Sequence, residues 1–319
     1  MSKLAFLFPG QASQYPGMGR DLAENSPEAR RVFEEADTAL GFPISKVCFD
    51  GTEDELKLTE ITQPAILTVS VAAQRALEAK GVVPDCAAGH SLGEYSALVA
   101  AGALEFSDAV KLVHSRGKYM QEAVPHGEGA MAAILGLAPA EVLEITKKAA
   151  HGEVVSAANT NSPEQTVISG TAAAVRRAVE IASQEGAKRA VILQVSAPFH
   201  CQMMMPAQTR LEADLRATKF HKLRFPLFTN VDAEAITDAE EARDALIRQV
   251  CLPVRWLDLV HEMIDGGVHM FVEVGPGKVL SGLLRQIDRA VRAVGVEDMA
   301  SLHAALDKIQ QSRAETAEA

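Results

Sequence analysis

Residues 89–93 read Gly-His-Ser-Leu-Gly, and the stretches on either side limit what that pentapeptide can be part of. An apolar run, Cys86-Ala87-Ala88, precedes it, and a helix-like run from Glu94 to Gly102 follows. A serine between a strand and a helix sits on a sharp turn that exposes its hydroxyl, while flanking glycines let the chain turn and neighbouring backbone approach. The new helix brings free N–H groups and the positive end of its dipole beside that hydroxyl. Ser91 is therefore the first candidate for a covalent nucleophile. The pentapeptide alone is also compatible with a purely structural turn.

The rest of the chain reads as α/β. Leu4 to Phe8 is a continuous apolar run, as expected of a strand buried on both faces, and a loop, Pro9-Gly10-Gln11-Ala12-Ser13-Gln14, follows it. Thr62 to Lys80 carries apolar residues at helical spacing, with Pro64 suited to a first turn and Gly81 to a stop. A further helix spans Ser107 to Ala123, with Ser107 as its N-cap. Gly127 and Gly129 mark a change of character near residue 125. Beyond them strands at Ala130–Leu135, Val154–Ala158, Thr166–Ser169 and Arg189–Val195 alternate with helices at Pro139–Ala150 and Ala172–Gln184. Asn159 to Pro163 reads as a loop. The order β-α-β-β-α-β predicts an inserted ferredoxin-like subdomain over 126–196, between two pieces of the larger one, 1–125 and 197–319. Ser196-Ala197-Pro198 is the expected hinge. Afterwards α/β alternation resumes: helices near 203–217, 239–249, 256–265 and 279–287, and strands at Pro226–Thr229 and His269–Val274. The polar tail Ser312–Ala319 reads as frayed.

Composition closes several functional classes. With 319 residues, 48% hydrophobic and 23% charged, the chain can bury a sizeable core as a soluble globular protein. A formal net charge of -11 argues against nucleic-acid binding, and any acidic partner would need a local basic patch. Cys48, Cys86, Cys201 and Cys251 form no C-x-x-C pair, so no metal site or disulfide is expected and reduced cytoplasmic thiols are the simpler reading. The N-terminus reads as a first strand rather than a signal peptide, and no apolar stretch is long enough for a membrane.

A serine hydroxyl needs a base, usually histidine. Of nine histidines, His200 differs: it follows Pro198-Phe199 at the re-entry to the larger subdomain, near the expected cleft. A satisfied structural histidine is the alternative. A hydrolase triad would also need an acid between Ser91 and His200 in chain order. Glu141, Glu144 and Glu185 read as solvated positions, so a neutral acceptor is left to orient the histidine.

Four segments together carry a resemblance: Pro9-Gly10-Gln11-Ala12-Ser13-Gln14, Gly89-His90-Ser91-Leu92-Gly93-Glu94-Tyr95, Ala197-Pro198-Phe199-His200 and Glu273-Val274-Gly275-Pro276-Gly277. The chain resembles the malonyl-CoA:acyl carrier protein transacylases, to about residue 295. The resemblance implies an α/β-hydrolase-like core with a parallel sheet and the inserted ferredoxin-like subdomain. It implies that Ser91 is acylated, that His200 activates it, and that the Gln249 backbone carbonyl holds His200. Backbone N–H groups of Gln11 and Leu92 would form the oxyanion hole, each worth about 3 kcal/mol. Arg116 would pair with the malonyl carboxylate, where its residues alone suggest a solvated helix arginine. Phe199 and Met120 would line the acyl pocket, or be simply core. Ala12 departs from the glycine many relatives carry.

The function so implied is ping-pong transfer of malonyl from CoA to the phosphopantetheine thiol of acyl carrier protein, for fatty-acid synthesis, by a monomer without metal or redox cofactor. A serine esterase or thioesterase, a transacylase serving polyketide synthesis or malonate decarboxylase, and a carrier-docking module with a dead site are the alternatives. Lys188, Arg189, Arg285, Arg289 and Arg292 are candidates for a carrier-binding patch. Gly275-Pro276-Gly277-Lys278 lacks phosphate-loop spacing and reads as a turn opening a helix.

Overall fold

The computed structural model describes residues 3–195 and 197–318. Among them ten strands form two sheets: β1 (Lys3–Phe8), β2 (Cys86–Gly89), β3 (Gly129–Leu135), β4 (Val155–Ser162), β5 (Gln165–Thr171), β6 (Arg189–Ile192), β7 (Leu227–Phe228), β8 (Ala235–Ile236), β9 (Val268–Val274) and β10 (Arg292–Val296). The larger sheet has the order β10-β9-β1-β2-β7-β8 and is parallel except at the β7–β8 pair.

The apolar run Leu4–Phe8 lies inside that sheet because both faces are covered. Phe6 and Phe8 point into the core built with the helices Pro27–Leu40, Thr59–Glu78, Gly93–Ala100 and Phe106–Glu122. Ala5 and Leu7 point the other way, against Trp256, Leu259 and Leu283 of the helices Trp256–Asp265 and Val279–Ile287. The period of two along the strand thus feeds two separate apolar layers.

The smaller sheet has the order β4-β5-β3-β6 and is antiparallel. With the helices Pro139–Ala150 and Ala172–Gln184 it follows the β-α-β-β-α-β order read from the sequence. Ala132, Ile134 and Ile168 on one face pack under Val142, Ile145, Val175 and Ala178 of those helices. Met131 and Val167, on the opposite face, join the larger core.

Several local expectations change. Asn159–Ser162 is part of β4 and not a loop. The Thr160 N–H donates to the Val254 carbonyl at 2.9 Å, and the Val254 N–H donates to Ala158 at 2.8 Å, so a polar stretch extends by pairing across to the larger unit. The helix expected from Ser107 starts at Phe106 after Glu105, and no side chain caps it. Pro64 lies beyond the first turn of Thr59–Glu78, where it removes the N–H that would bond Glu60. The His114 Nδ1–H of the helix Phe106–Glu122 donates to that freed Glu60 carbonyl at 2.9 Å, which gives an otherwise unremarked histidine its role. Gly117 permits the approach, since a Cβ there would lie 2.6 Å from the Thr59 carbonyl oxygen. The last helix, Met299–Glu318, continues through the tail that reads as frayed, with Ala319 outside the described residues. Ser196, the first residue of the expected hinge, also lies outside them. The sequence reading omitted β8, β10 and the four short or medium helices between Arg20 and Lys57.

Candidate active site

β2 ends at Gly89, and the chain turns at Ser91 into the helix Gly93–Ala100. The turn's strain falls on the serine itself, whose φ of 52° is left-handed. The flanking glycines serve close packing instead: a Cβ on Gly93 would sit 2.0 Å from the Phe8 carbonyl oxygen, and one on Gly89 would sit 1.9 Å from the Gly93 backbone. Left-handed backbone recurs at Ala12 (φ 83°) and His200 (φ 57°), so three non-glycine residues around one site depart from ordinary geometry.

Ser91 Oγ lies 2.7 Å from His200 Nε2. His200 Nδ1 lies 2.8 Å from the Gln249 carbonyl oxygen. A carbonyl only accepts, so Nδ1 carries the proton and Nε2 presents its lone pair to the serine hydroxyl. Burial and the positive charge of Arg116 push the His200 pKa down to about 3, against the opposing bond to Gln249. The ring is therefore a neutral base across the physiological range. Glu141, Glu144 and Glu185 are engaged elsewhere: Glu141 accepts from the Ala138 N–H, Glu144 pairs with Lys147, and Glu185 pairs with Lys148.

Arg116 reaches the same point from the helix Phe106–Glu122 and is only 1% exposed. Its Nη1 donates to Gln63 Oε1 at 2.8 Å. Its Nη2 donates to Gln249 Oε1 at 3.0 Å and to Ser91 Oγ at 3.1 Å. The guanidinium also sits 5.6 Å from the centre of the Tyr95 ring. These hydrogen-bond partners are neutral, and among the described residues no carboxylate forms an ion pair with it. Burial lowers its pKa, yet a guanidinium stays charged. A buried cation among amides and a hydroxyl could receive an anion.

Gln11, Ser91, Arg116, Met120, Phe199 and His200 all line one cavity of about 250 Å³, closed on its far side by residues of β3, β4 and β5. Met120 Sδ accepts from Gln63 Nε2 at 3.8 Å, so this thioether helps hold the amide that holds Arg116. Leu92 is buried behind the turn, at the start of the helix. Among the described residues, no hydrogen bond engages the backbone N–H of Gln11 or of Leu92. Two unengaged donors flanking a serine could receive an oxyanion.

Gln63, Asn230, Glu94 and the Gln249 side chain were missed by the sequence reading. Gln63 left a faint signal, as a polar side chain between Ile61 and the apolar run after Pro64. Gly275–Lys278 is a turn before the helix Val279–Ile287, and Glu273 accepts from the Leu280 and Ser281 N–H groups at 2.9 and 2.8 Å. A carboxylate thus already occupies that helix N-terminus. Among the described residues no cluster of three His, Cys, Asp or Glu side chains could hold a metal ion.

The sequence profile of the acyl transferase domain family matches residues 5–316. The malonyl CoA-acyl carrier protein transacylase of Bacillus subtilis is 47% identical over 312 residues, covering 98% of each chain. The corresponding transacylase of Coxiella burnetii superposes with a TM-score of 0.94 at 44% identity, covering 96% of this chain and 97% of that one. A malonyl-transacylase solved in complex with a type II PKS acyl-carrier protein superposes with a TM-score of 0.94 at 45% identity, covering 96% of this chain and all 100% of that one. On a match that spans both sheets and every segment of the cavity wall, the chain belongs to the acyl transferase domain family, among relatives that are malonyl CoA-acyl carrier protein transacylases.

Proposed function

We propose that this chain is a malonyl-CoA:acyl carrier protein transacylase working by a ping-pong mechanism. One observation carries the reading. A fully buried Arg116 with only neutral partners stands 3.1 Å from Ser91 Oγ, which is itself 2.7 Å from a neutral His200. Ser91 Oγ gives its proton to His200 Nε2 and attacks the thioester carbonyl. The oxygen of the tetrahedral state is received by the Gln11 and Leu92 N–H groups. The C–S bond breaks, His200 returns the proton to the sulfur of CoA, and malonyl remains on Ser91 as an oxygen ester. Arg116 pairs with its free carboxylate, a planar fork against a planar acceptor. The phosphopantetheine thiol of an acyl carrier protein then repeats the sequence in reverse. Met120 and Phe199 bound the pocket for the short acyl chain. Both legs exchange one ester for another, so neither a metal nor a redox cofactor takes part.

The names of the relatives support this acyl donor and acceptor. A carrier surface rich in acid would meet Arg189, Arg285 and Arg289, which are exposed and, among the described residues, form no ion pair. Lys188 and Arg292 are already paired, with Glu164 and Glu315. No helix among the described residues is long and apolar enough to cross a membrane. We place the work in the cytoplasm, by a monomer, in fatty-acid synthesis.

The test is incubation with malonyl-CoA and no acceptor, followed by intact-protein mass spectrometry. A stable malonyl adduct that disappears in Ser91→Ala is expected. Steady release of CoA with no adduct would make the chain a thioesterase and overturn the proposal.

A further inference from the structure

We propose that Asn230 is a positioning residue for acyl transfer: its side-chain amide clamps the backbone on both sides of Ser91, and Glu94 holds the clamp in place. This rests on Ser91 being the acylated nucleophile. The observation behind it is a gap in the sheet. β2 pairs with β7 at Ala87↔Leu227 and Ala88↔Phe228, and there the pairing stops because β2 turns away. The next polar groups on the turning strand would be left buried and unpaired, which is unfavourable. Asn230, two residues beyond β7 and fully buried, meets both. Its Nδ2 donates to the Gly89 carbonyl at 2.6 Å. Its Oδ1 accepts from the Ser91 N–H at 2.7 Å. One planar amide thus replaces a rung of the ladder and spans the turn that strains Ser91.

The clamp is fixed from behind. The Asn230 N–H donates to Glu94 Oε2 at 3.0 Å, and Glu94 is fully buried on the first turn after the serine. Gln249 Nε2 donates to the same oxygen at 2.8 Å and to the Ser91 carbonyl at 3.0 Å. The Gln249 backbone carbonyl holds His200. The nucleophile's backbone and the residue whose carbonyl holds the base's ring are therefore tied to one carboxyl group through two amides. Neither Asn230 nor Glu94 lines the cavity, so neither touches substrate. Their effect runs through the Oγ–Nε2 distance, for which a displacement of about 1 Å costs on the order of 100-fold in rate.

The experiment uses the full chain and measures single-turnover acylation by malonyl-CoA, with rate constant, final amplitude and half-saturating concentration read separately. Asn230→Asp keeps an acceptor for the Ser91 N–H but sets an oxygen against the Gly89 carbonyl. The expected result is a fall of about 100-fold in the acylation rate constant. The amplitude should stay stoichiometric, and half-saturation should move less than about threefold, because Arg116 is untouched. Should Asn230→Asp not fold, Glu94 carries the test: Glu94→Leu removes both bonds and should lose acylation rate, while Glu94→Gln keeps an acceptor oxygen and should recover most of the loss. A merely structural role would lower amplitude and melting temperature and leave the rate constant of the surviving fraction at the parental value. That outcome, or an Asn230→Asp variant that acylates at the parental rate, overturns the proposal. Failure of the nucleophile reading looks different, since Ser91→Ala would then still gain the malonyl mass.

Discussion

Replacing Arg116 by alanine separates the two things this buried guanidinium does. It donates to Ser91 Oγ at 3.1 Å, and it is the cation that faces the cavity beside the serine. If its work is to receive the acyl carboxylate, Arg116→Ala leaves that carboxylate in the cavity with the neutral Gln63 as its neighbour. Leaving one member of a buried charged pair alone costs about 3–5 kcal/mol. That is a loss of roughly 10²- to 10⁴-fold in kcat/KM for malonyl-CoA. Acetyl-CoA carries no such charge. For it the substitution removes an unmatched buried cation, so its kcat/KM should hold or rise. Arg116→Ala takes one hydrogen bond from Ser91 Oγ and lifts one of the causes that hold the His200 pKa down, but the Ser91–His200 contact and the unengaged Gln11 and Leu92 N–H groups remain, so the chemistry should survive for the neutral group. The assay is CoA release with both donors at a fixed acceptor concentration, with the malonyl-to-acetyl ratio as the readout. An unchanged ratio would refute the reasoning. A fall of equal size for both donors would mean that Arg116 serves the serine hydroxyl and not the acyl group.

Ala12 holds a φ of 83°, where a side chain costs about 1–2 kcal/mol, partly offset by the extra unfolded-state freedom of glycine, so Ala12→Gly should gain up to about 1 kcal/mol in thermal melts. An unchanged or lower melting temperature would count against the strain. Gly93→Ala drives a Cβ to 2.0 Å from the Phe8 carbonyl oxygen and should cost about 3 kcal/mol or more along with acylation, and a parental melting curve would contradict the packing of the turn. His200 titrates near 3 when folded and near 6.5 when unfolded, so below 6.5 the unfolded chain binds the proton that the folded chain refuses. The parent should lose stability relative to His200→Gln by up to about 1.4 kcal/mol per pH unit of acidification, and a pH-independent difference between the two melts from pH 7 to 4 would show ordinary titration.

What the sequence disclosed was set by local pattern. Leu4–Phe8, the alternation around β3 to β6 and the pentapeptide at Ser91 were legible because period, turn residues and apolar runs coincide there. Ser107 misled because a good capping residue lies one position inside a helix that starts at Phe106. Asn159–Ser162 misled because polar residues suggest a loop, whereas their strand is completed by Val254, nearly a hundred residues away. The site divides in the same way. Ser91, His200 and the gap left by a missing acid follow from motif and chain order. The Gln249 carbonyl carries no side-chain signature at all, and it entered only through resemblance. Asn230 and Gln63 matter through long-range contacts, such as those to Ser91 and Arg116 over 139 and 53 positions of sequence, and no periodicity encodes such contacts.

A neutral carbonyl on His200 bears directly on why an acyl-enzyme of the proposed kind would hand its malonyl group to a thiol rather than to water. The histidine must accept a proton from whichever nucleophile attacks Ser91's ester. Burial and Arg116 hold its pKa to about 3, and Gln249 offers a dipole where a carboxylate would offer a full charge. A thiol gives up its proton near a pKa of about 8.5, whereas water does so near about 15.7. The transfer from water is harder by the free energy of some seven pKa steps, on the order of 10 kcal/mol if fully expressed. A strongly supported imidazolium narrows the barrier for both nucleophiles, and water, at its far greater concentration, gains the most from that help. Even with a weakly supported imidazolium the thiol route stays the lower of the two, since the thiol is the more acidic and the intrinsically more nucleophilic. In the proposed mechanism, a backbone carbonyl in place of the triad's acid would favour a thiol over water as the second nucleophile.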